Sequence, residues 1–333
     1  MSDMTLVSTR IRLARNIDGL PFPHKLGEAH ARKIIDKVES ALAPVDKFSR
    51  YDICGLTELD GNILREKHLI STDLLSDSPY GSVLISADET VSVMVNEEDH
   101  VREQVILGGL ALDQAYDRIN RIDDILAQNV KFAFSQRLGY LTACATNLGT
   151  GMRASVMMFL PALTIQHLID SCINDVSRLN ITVRGVYGEG SRAEGYLYQI
   201  SNQHTLGVTE SEILDSVKSA INHIVEAEMR ARELLKRDEP SLKDKIFRAW
   251  GIAENAYKLS TGEAMELLSM IRLGAHYGYI DISDADEYQK LVTNCQPANM
   301  QLLGGKNISV DDRDILRARY VAGQLHSIAK RNR

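Results

Sequence analysis

The sequence has little cysteine and no long hydrophobic run. Its four cysteines are scattered over 333 residues and none forms a CxxC pair, which excludes a zinc ribbon or thioredoxin-type site and argues against a disulfide scaffold. The longest nearly apolar stretch, Ala154 to Ile165, contains Pro161 and is too short for a membrane span of about 20 residues. The charged N-terminus lacks the apolar core of a signal peptide. We therefore expect a soluble, cytoplasmic protein.

Basic residues are also in the minority. The chain has 38 Lys and Arg against 45 Asp and Glu, a formal net charge of −7, which argues against a protein that coats DNA with a basic face. This net charge still allows a local basic site for a nucleotide. The length predicts two domains, with strands, helices and glycine-bearing loops up to about residue 205 and helices after it.

Hydrophobic periodicity predicts several elements of the first part. The β-rich runs Ser82–Ser86 and Val91–Asn96 predict a hairpin. Apolar residues at helical spacing predict a helix from Leu112 to Leu126. Alternation predicts strands over Lys131–Ser135 and Leu138–Ala143.

Further elements follow towards the C-terminus. A helix is predicted through Arg153–Ile173, disturbed at Pro161, and a strand pair over Ile181–Val186 and Tyr196–Ser201. Capping sequences predict helices that begin at the following residues: Thr209, Ser260 and Ser309.

The segment STRIRLAR, residues 8–15, alternates polar and apolar residues. In a strand, residues two apart share a face, so Arg10 and Arg12 would project together while Ile11 and Leu13 face the core. Two neighbouring guanidinium groups can bind polyphosphate oxygens bidentately. The segment therefore indicates a nucleotide phosphate site, with a solvated edge strand as the alternative.

Three consecutive carboxylates, Glu97, Glu98 and Asp99, end the second strand of the predicted hairpin. Their mutual repulsion is relieved when a cation lies nearby. They therefore indicate a site for a cationic substrate, with Arg102 one turn further on. The alternative is an acidic helix N-terminus, which the helix dipole favours.

Glycines flank Thr150 in CATNLGTGMR, residues 144–153, just before the predicted helix. Such a loop can turn backbone N–H groups towards an anion at the helix N-terminus, and Arg153 adds a cation. Cys144 would lie near the same site, with an inert, half-buried thiol as the alternative.

Four glycines punctuate RGVYGEGSRAEG, residues 184–195. This composition predicts a mobile loop that closes over a site, with Arg184 before the loop and Glu189 inside it. A plain hairpin connection is the alternative.

Arg313 and Arg317 are four residues apart in the last predicted helix and would share a face. Like charges so placed repel, and Arg313 lies near the positive end of the helix dipole. A bound anion would remove both penalties. A salt-bridged surface, formed with Asp311, Asp312 and Asp314, is the alternative.

Taken together and in this order, the motifs resemble the ATP:guanidino phosphotransferases, the family of creatine and arginine kinases, over essentially the whole chain. The resemblance is greatest to the protein-arginine kinases of Gram-positive bacteria. One reason is that S-x-R-x-R begins at Ser8, without the N-terminal helical domain that helps enclose a small substrate. The other is a helical C-terminal segment that carries R-D-x-x-R-A.

The resemblance implies an α+β fold. Residues 1–238 would form a phosphagen-kinase-like catalytic domain, an antiparallel sheet flanked by helices. Residues 239–333 would form an all-helical phosphoarginine-binding domain.

The resemblance also implies a reaction, the transfer of the γ-phosphoryl group of ATP, with Mg²⁺, to the guanidino group of arginine residues in proteins. The nucleotide phosphates would be bound by the following residues: Arg10, Arg12, Arg102, Arg153 and Arg184. Glu98, as the base, and Glu189 would bind the guanidinium, beside Cys144. Phosphoarginine would be bound by the following residues: Arg313, Asp314 and Arg317.

Three positions depart from the phosphagen kinases. Ala145 replaces a proline, Met157 stands where a histidine lies on the nucleotide side, and Gln199 replaces an aspartate that contacts the ribose. The resemblance therefore implies the phosphate and guanidino contacts, and not those to adenine and ribose.

Partners are implied by the resemblance alone. They are protein substrates bearing arginine, a zinc-binding activator, a Clp unfoldase-protease and a heat-shock repressor, with a role in marking proteins for degradation or in stress response. A homodimer is also implied, without direct nucleic-acid or membrane binding. Two alternatives remain: a kinase of free arginine or another small guanidino compound, and a catalytically dead phosphoarginine-binding adaptor.

Overall fold

The computed structural model describes residues 4–185, 194–305 and 308–332. The chain forms two compact units. The strand-rich unit comprises Ser8–Val156 and Ser201–Ser219, and the helix-rich unit comprises Met1–Val7, Met157–Ile200 and Ala220–Arg333. The division at residue 238 stays a prediction.

Antiparallel strands form the centre of the strand-rich unit. They are β1 (Leu6–Arg15), β2 (Phe48–Asp52), β3 (Ser82–Ser86), β4 (Val91–Val95), β5 (Val101–Gly108), the short pair β6 (Phe134–Ser135) and β7 (Gly139–Tyr140), and β8 (Met152–Phe159). Among the described residues the sheet has eight strands, of which those of this unit follow the order β2-β3-β4-β5-β1-β8. The helices are α1 (Glu28–Leu42), α2 (Glu58–Glu66), α3 (Thr72–Asp77) and α4 (Leu112–Asn129).

The pairing register gives this sheet two chemically different faces. Arg12 lies opposite Gln104 and Ala14 opposite Arg102, so the even-numbered residues of β1 and β5 share one face. Ile11 and Leu13 project to the other face and are buried, and α4 packs against β5. The strand and the shared face of Arg10 and Arg12 are therefore confirmed.

Arg15 belongs by its odd number to the buried face. Its guanidinium forms an ion pair with Asp123 of α4 (Nη2 to Oδ2, 2.8 Å) and lies 3.6 Å from the centre of the Tyr140 ring. Nη1 donates to the Thr150 carbonyl at 2.9 Å. A buried charge is tolerated when it is paired and hydrogen-bonded, so Arg15 connects β1, α4 and the glycine loop.

Helices dominate the helix-rich unit. They are α5 (Pro161–Ile165), α6 (Ile169–Ser177), α7 (Glu210–Lys236), whose first residues belong to the strand-rich unit, α8 (Glu239–Asn255), α9 (Thr261–His276), α10 (Ala285–Asn294), α11 (Pro297–Gly304) and α12 (Val310–Ile328). The strands are β9 (Ile181–Gly185), next to β10 (Leu197–Asn202), and the pair β11 (Ile280–Ile282) and β12 (Ala329–Arg331). Its core includes Ile246, Leu268 and Val321.

Many predicted elements are confirmed, namely the β3–β4 hairpin, the helix from Leu112, the neighbouring strands β9 and β10, and the three capped helices. At α7, the Thr209 hydroxyl accepts from the Glu212 N–H at 3.2 Å while the Glu212 carboxylate accepts from the Thr209 N–H at 2.7 Å. The strands predicted over Lys131–Ser135 and Leu138–Ala143 shrink to β6 and β7.

The helix predicted through Arg153–Ile173 is wrong over its first half, whereas its second half is helical, as α5 and the start of α6. Residues 152–159 form β8, and Pro161 occupies the first turn of α5. Six of the eight residues of MRASVMMF are apolar or alanine, and they lie on both faces of β8. This strand lies between two others, and a strand buried on both faces does not alternate. Periodicity alone therefore could not separate it from a buried helix.

Candidate active site

The NEEDH sequence forms the connection between β4 and β5. Asn96 adopts a left-handed φ of 58°, and its N–H donates to the His100 carbonyl at 2.9 Å. His100 is fixed in turn, because its Nδ1 accepts from the Ile17 N–H at 3.0 Å. The turn is therefore held at both ends. Neither the acidic helix N-terminus nor the helical position of Arg102 is correct, since Arg102 lies on β5.

The three consecutive carboxylates have different environments. Asp99 is buried and accepts from the Ala143 N–H at 2.7 Å and from the Asn16 amide. Glu97 is also buried, and its two oxygens lie 2.6 Å from Nη1 of Arg102. Glu98 alone among the three is exposed. Of these acids, Glu98 is therefore the one available to a cationic substrate.

The surroundings of Glu98 favour its protonated form. Desolvation raises the pKa of the Glu98 carboxyl, and the neighbouring charges of Asp99 and Glu97 raise it further. Arg102 and a hydrogen bond from the Cys144 thiol oppose this effect. A carboxyl with a raised pKa is better suited to accept a proton during a reaction near neutral pH. Cys144 therefore lies within hydrogen-bonding distance of Glu98, and its place beside a bound guanidinium stays a prediction.

Four arginines form a cluster in the strand-rich unit, which we call the arginine cluster: Arg10, Arg12, Arg102 and Arg153. Burial, Arg102 and Arg153 lower the pKa of the Arg10 guanidinium to about 10. Burial and the other three arginines hold the pKa of Arg12 well below its ordinary value, against an opposing effect of Glu97.

Crowded cations of this kind stabilise a bound polyanion. Within the described ranges, neither Arg10 nor Arg12 has a carboxylate oxygen within 4.0 Å of its guanidinium nitrogens. Two cluster members are oriented by neighbours: Arg102 by Glu97, and Arg153 by the Ser201 hydroxyl, to which Nη2 donates at 2.9 Å. The cluster can therefore bind phosphate oxygens with fixed guanidinium groups.

The glycine loop leads into β8 and not into a helix, so the predicted anion site at a helix N-terminus is wrong. Gly149 has a φ of 112°, and a Cβ there would lie 2.2 Å from the Thr205 carbonyl oxygen. Gly151 has a φ of 66°, and its Cβ would lie 2.6 Å from the Ala14 carbonyl oxygen and from Nη1 of Arg15. These glycines allow close backbone packing, which positions β8 and hence Arg153.

Arg184 lies on β9 in the helix-rich unit with an exposed side chain. Glu189, and with it the centre of the predicted mobile loop, lies outside the described residues.

The C-terminal motif lies on α12 and forms a buried ion pair. Arg317 is fully buried, and donates through Nε to the Cys295 carbonyl and through Nη1 to the Leu259 carbonyl, both at 2.8 Å, and to Asp314. Nη2 of Arg317 and Nε of Arg313 are buried without a hydrogen-bond partner among the described residues. Arg317 thus connects three segments of the chain. The alternative of a salt-bridged surface is wrong for Arg317, because its ion pair with Asp314 is buried.

Two important residues were missed from sequence. Glu97 was not distinguished from its neighbours, and nothing in the letters NEED separates a buried glutamate from an exposed one. Arg15 had a usable signal, because the alternation that places Arg10 and Arg12 on one face places Arg15 on the other.

Comparison with known proteins assigns the family. A model of the ATP:guanido phosphotransferase C-terminal catalytic domain matches residues 30–231. The chain belongs to the ATP:guanido phosphotransferase family. A second model, of the protein-arginine kinase McsB C-terminal domain, matches residues 239–333. The chain is therefore a phosphotransferase, and the predicted family and the α+β fold are confirmed.

The phosphotransferase is similar to protein-arginine kinases over nearly the whole length of those proteins. A protein-arginine kinase of Caldanaerobacter subterraneus subsp. tengcongensis is 44% identical over 96% of this chain and 97% of that protein. One of Clostridium kluyveri is 43% identical over 96% of this chain and 94% of that protein.

Solved structures show the same fold. A lombricine kinase matches with a TM-score of 0.61 and 28% identity, over 69% of this chain and 67% of that one. The duplicated taurocyamine kinase of Schistosoma mansoni matches with a TM-score of 0.60 and 28% identity, over 68% of this chain and 33% of that one. The phosphotransferase thus spans about a third of that duplicated protein.

No described helix is both long and apolar enough to cross a membrane. Likewise, the described residues contain no group of three or more His, Cys, Asp or Glu side chains that could hold a metal ion.

Proposed function

We propose that this phosphotransferase transfers the γ-phosphoryl group of ATP to the guanidino group of arginine residues in proteins. The observation that carries the proposal is the placement of exposed Glu98 in one turn with Glu97, which in turn binds Arg102 of the arginine cluster. A carboxylate that can bind a guanidinium thus lies beside arginines that can bind phosphate. The names of the full-length relatives support protein arginine as the acceptor.

The reaction needs a proton acceptor, because a guanidinium is protonated up to a pH above about 12 and its nitrogens are poor nucleophiles in that form. Glu98 would bind the guanidinium, align one nitrogen with the γ-phosphorus, and accept the proton as the N–P bond forms. The bond between the γ-phosphorus and the bridging oxygen breaks, and ADP leaves. The raised pKa of Glu98 suits this role.

The arginine cluster would bind the phosphates and stabilise the charge that develops on the transferred group. Arg184 and Glu189 remain predicted contributors to phosphate and guanidinium binding. Mg²⁺ would enter with ATP and neutralise phosphate charge when bound. It prefers phosphate oxygens and water as ligands.

The test is mass spectrometry of an arginine-rich protein after incubation with the full chain and Mg-ATP, at a pH that preserves acid-labile N–P bonds. We expect phosphoarginine on the protein. A parallel reaction with free arginine tests the first alternative, and faster turnover of free arginine than of the protein would contradict protein substrates. Absence of both products would leave the non-catalytic adaptor.

We further propose that the C-terminal motif binds phosphoarginine through Arg313. Nε of Arg313 and Nη2 of Arg317 are buried donors without partners among the described residues, and such donors favour an anion. Arg317 and Asp314 would support the site through their ion pair. Binding of phosphoarginine to the full chain should weaken in Arg313→Met and not in Arg319→Met, where the side chain is exposed. Equal binding by both variants would contradict the site.

The partners implied by the resemblance stay predictions. These are the zinc-binding activator, the Clp unfoldase-protease, the heat-shock repressor and the second subunit of a homodimer.

A further inference from the structure

A cavity of about 670 Å³ adjoins Glu98 in the strand-rich unit. The NEEDH turn forms one wall, through Asn96, Glu97 and Glu98. Asp73 and Asp77 of α3 form another, and Pro23, His24 and Leu26 contribute a third. This volume exceeds what a single guanidinium group needs, so the cavity has room for residues on either side of a target arginine.

The Asp, Glu, Lys and Arg side chains that line the cavity in the described part of the chain are all acidic, and His24 also lines it. Among the described lining residues, four are carboxylates and none is Lys or Arg. Glu97 is already neutralised by Arg102. Asp73 and Asp77 are exposed, neither forms an ion pair in the described part of the chain, and Asp77 accepts from the Ser76 hydroxyl at 2.9 Å. Two uncompensated carboxylates therefore remain in addition to Glu98.

A buried acceptor lies in the same wall. Asn96 is 5% exposed, and its Nδ2 donates to the Ala31 carbonyl at 3.1 Å and to the Tyr80 carbonyl at 3.3 Å. These two bonds use both amide hydrogens and fix the side chain. Its Oδ1 has no hydrogen-bond partner among the described residues. A buried acceptor without a partner is unfavourable unless a ligand supplies a donor.

Hydrogen bonds hold α3 against the NEEDH turn. The Ser71 hydroxyl accepts from the Leu74 N–H at 3.1 Å, which caps α3, and donates to Oε1 of Glu97. Glu97 in turn binds Arg102. Asp73 and Asp77 are therefore carried by a helix whose start is tied to the same glutamate that orients a member of the arginine cluster.

From these observations we propose that the cavity binds the polypeptide around the target arginine and selects for a second cationic side chain near it. Asp73 and Asp77 are the specificity-determining residues, and Asn96 Oδ1 accepts an N–H of the bound chain. This inference rests on the proposed function, since it concerns the acceptor of the same reaction. It adds a substrate class: arginines flanked by lysine or another arginine.

The experiment compares pairs of blocked peptides, each with a single arginine. One peptide of a pair has lysine at a chosen position within four residues of the arginine, and the other has glutamine there. Lysine adds a cation without a second guanidino acceptor. Formation of phosphoarginine by the full chain is measured as kcat/KM. We expect at least one lysine position to raise kcat/KM about fivefold, the size of an interaction between partly exposed charges, and added salt to reduce the ratio.

Two double variants locate the effect. In Asp73→Asn/Asp77→Asn, the ratio of kcat/KM between lysine and glutamine peptides should fall to near one. In the matched control Asp117→Asn/Asp124→Asn, which removes two exposed carboxylates of α4, the ratio should stay as in the wild type.

Two results would overturn the inference. One is equal use of both peptides by the wild type at every position. The other is a ratio that persists in the α3 variant. Both leave the proposed function intact, because peptides are still phosphorylated. If no arginine peptide or protein is phosphorylated at all, the proposed function itself fails and the inference with it.

Discussion

At the scale of single residues, side chains of one type have opposite roles on one strand. Arg10 and Arg12 lie on the face of β1 where like charges gather, and burial together with the other arginines lowers the pKa of each. Arg15 lies on the other face, fully paired with Asp123. The first two arginines cost stability in the free protein, whereas the third contributes to it.

This contrast gives a paired prediction. Arg15→Met should destabilise the protein by about 3–5 kcal/mol, because it leaves the buried charge of Asp123 without its partner. Arg10→Met should leave the thermal midpoint unchanged or higher, because it removes like-charge repulsion, and should weaken ATP binding about 10- to 100-fold. Thermal unfolding and calorimetric titration with ATP measure both effects. A lower midpoint for Arg10→Met than for Arg15→Met would contradict the assignment.

The raised pKa of Glu98 predicts how activity depends on pH. Its carboxylate must be ionised to bind a guanidinium, and its pKa is raised above the ordinary value of about 4.3. Activity should therefore decline as pH falls through this raised pKa, at a higher pH than an ordinary glutamate would give. The acid limb of kcat/KM against pH reports this group in the free enzyme. A limb at or below about 4.3 would show that desolvation does not govern Glu98.

At the scale of elements, the loop before β8 requires glycine because another backbone segment lies close to it. Gly149 approaches the Thr205 backbone so closely that no Cβ fits, and Gly207, only two residues beyond Thr205, has a similar left-handed φ of 76° with nothing within 4 Å of a Cβ. Both positions therefore require a left-handed backbone conformation, and of the two only Gly149 also lies close to another backbone segment.

Alanine at each position separates these two costs. Gly207→Ala should destabilise the protein by about 1 kcal/mol, the cost of a left-handed φ for a residue with a side chain. Gly149→Ala should cost at least about 3 kcal/mol, because the backbone of Thr205 must also move, and Arg153 should bind phosphate less well. Chemical denaturation of both variants tests this. Equal losses would mean that the close approach is not important.

Local signals predicted some elements and not others. The capping sequence at Thr209 is a short-range hydrogen-bond pattern, and it is found as predicted. The strand β8 could not be predicted, because its apolar residues on both faces follow from its position between β1 and β10, which depends on residues far away in sequence. Residues 131–143 alternate but form only two short strands, so alternation there overestimated their length.

At the scale of the whole molecule, the sequence predicted the chemistry of the site better than its geometry. The alternation in STRIRLAR was sufficient to place Arg10 and Arg12 together. The run Glu97-Glu98-Asp99 was sufficient to indicate an acidic site, but which acid is exposed depends on distant partners, namely Ser71, Asn16 and Ala143. Tertiary contacts of this kind have no local signature.

The central claim is that Glu98 presents the acceptor to a nucleotide held by the arginine cluster. Its most direct test is single-turnover formation of phosphoarginine by Glu98→Gln, with ATP affinity measured on the same sample. Glutamine keeps the size of the side chain and removes its charge and basicity. We predict a rate about 10²- to 10⁴-fold below that of the wild type, the usual contribution of a positioned base, with ATP affinity changed less than threefold, or about 0.65 kcal/mol. A rate within threefold of the wild type would contradict the account.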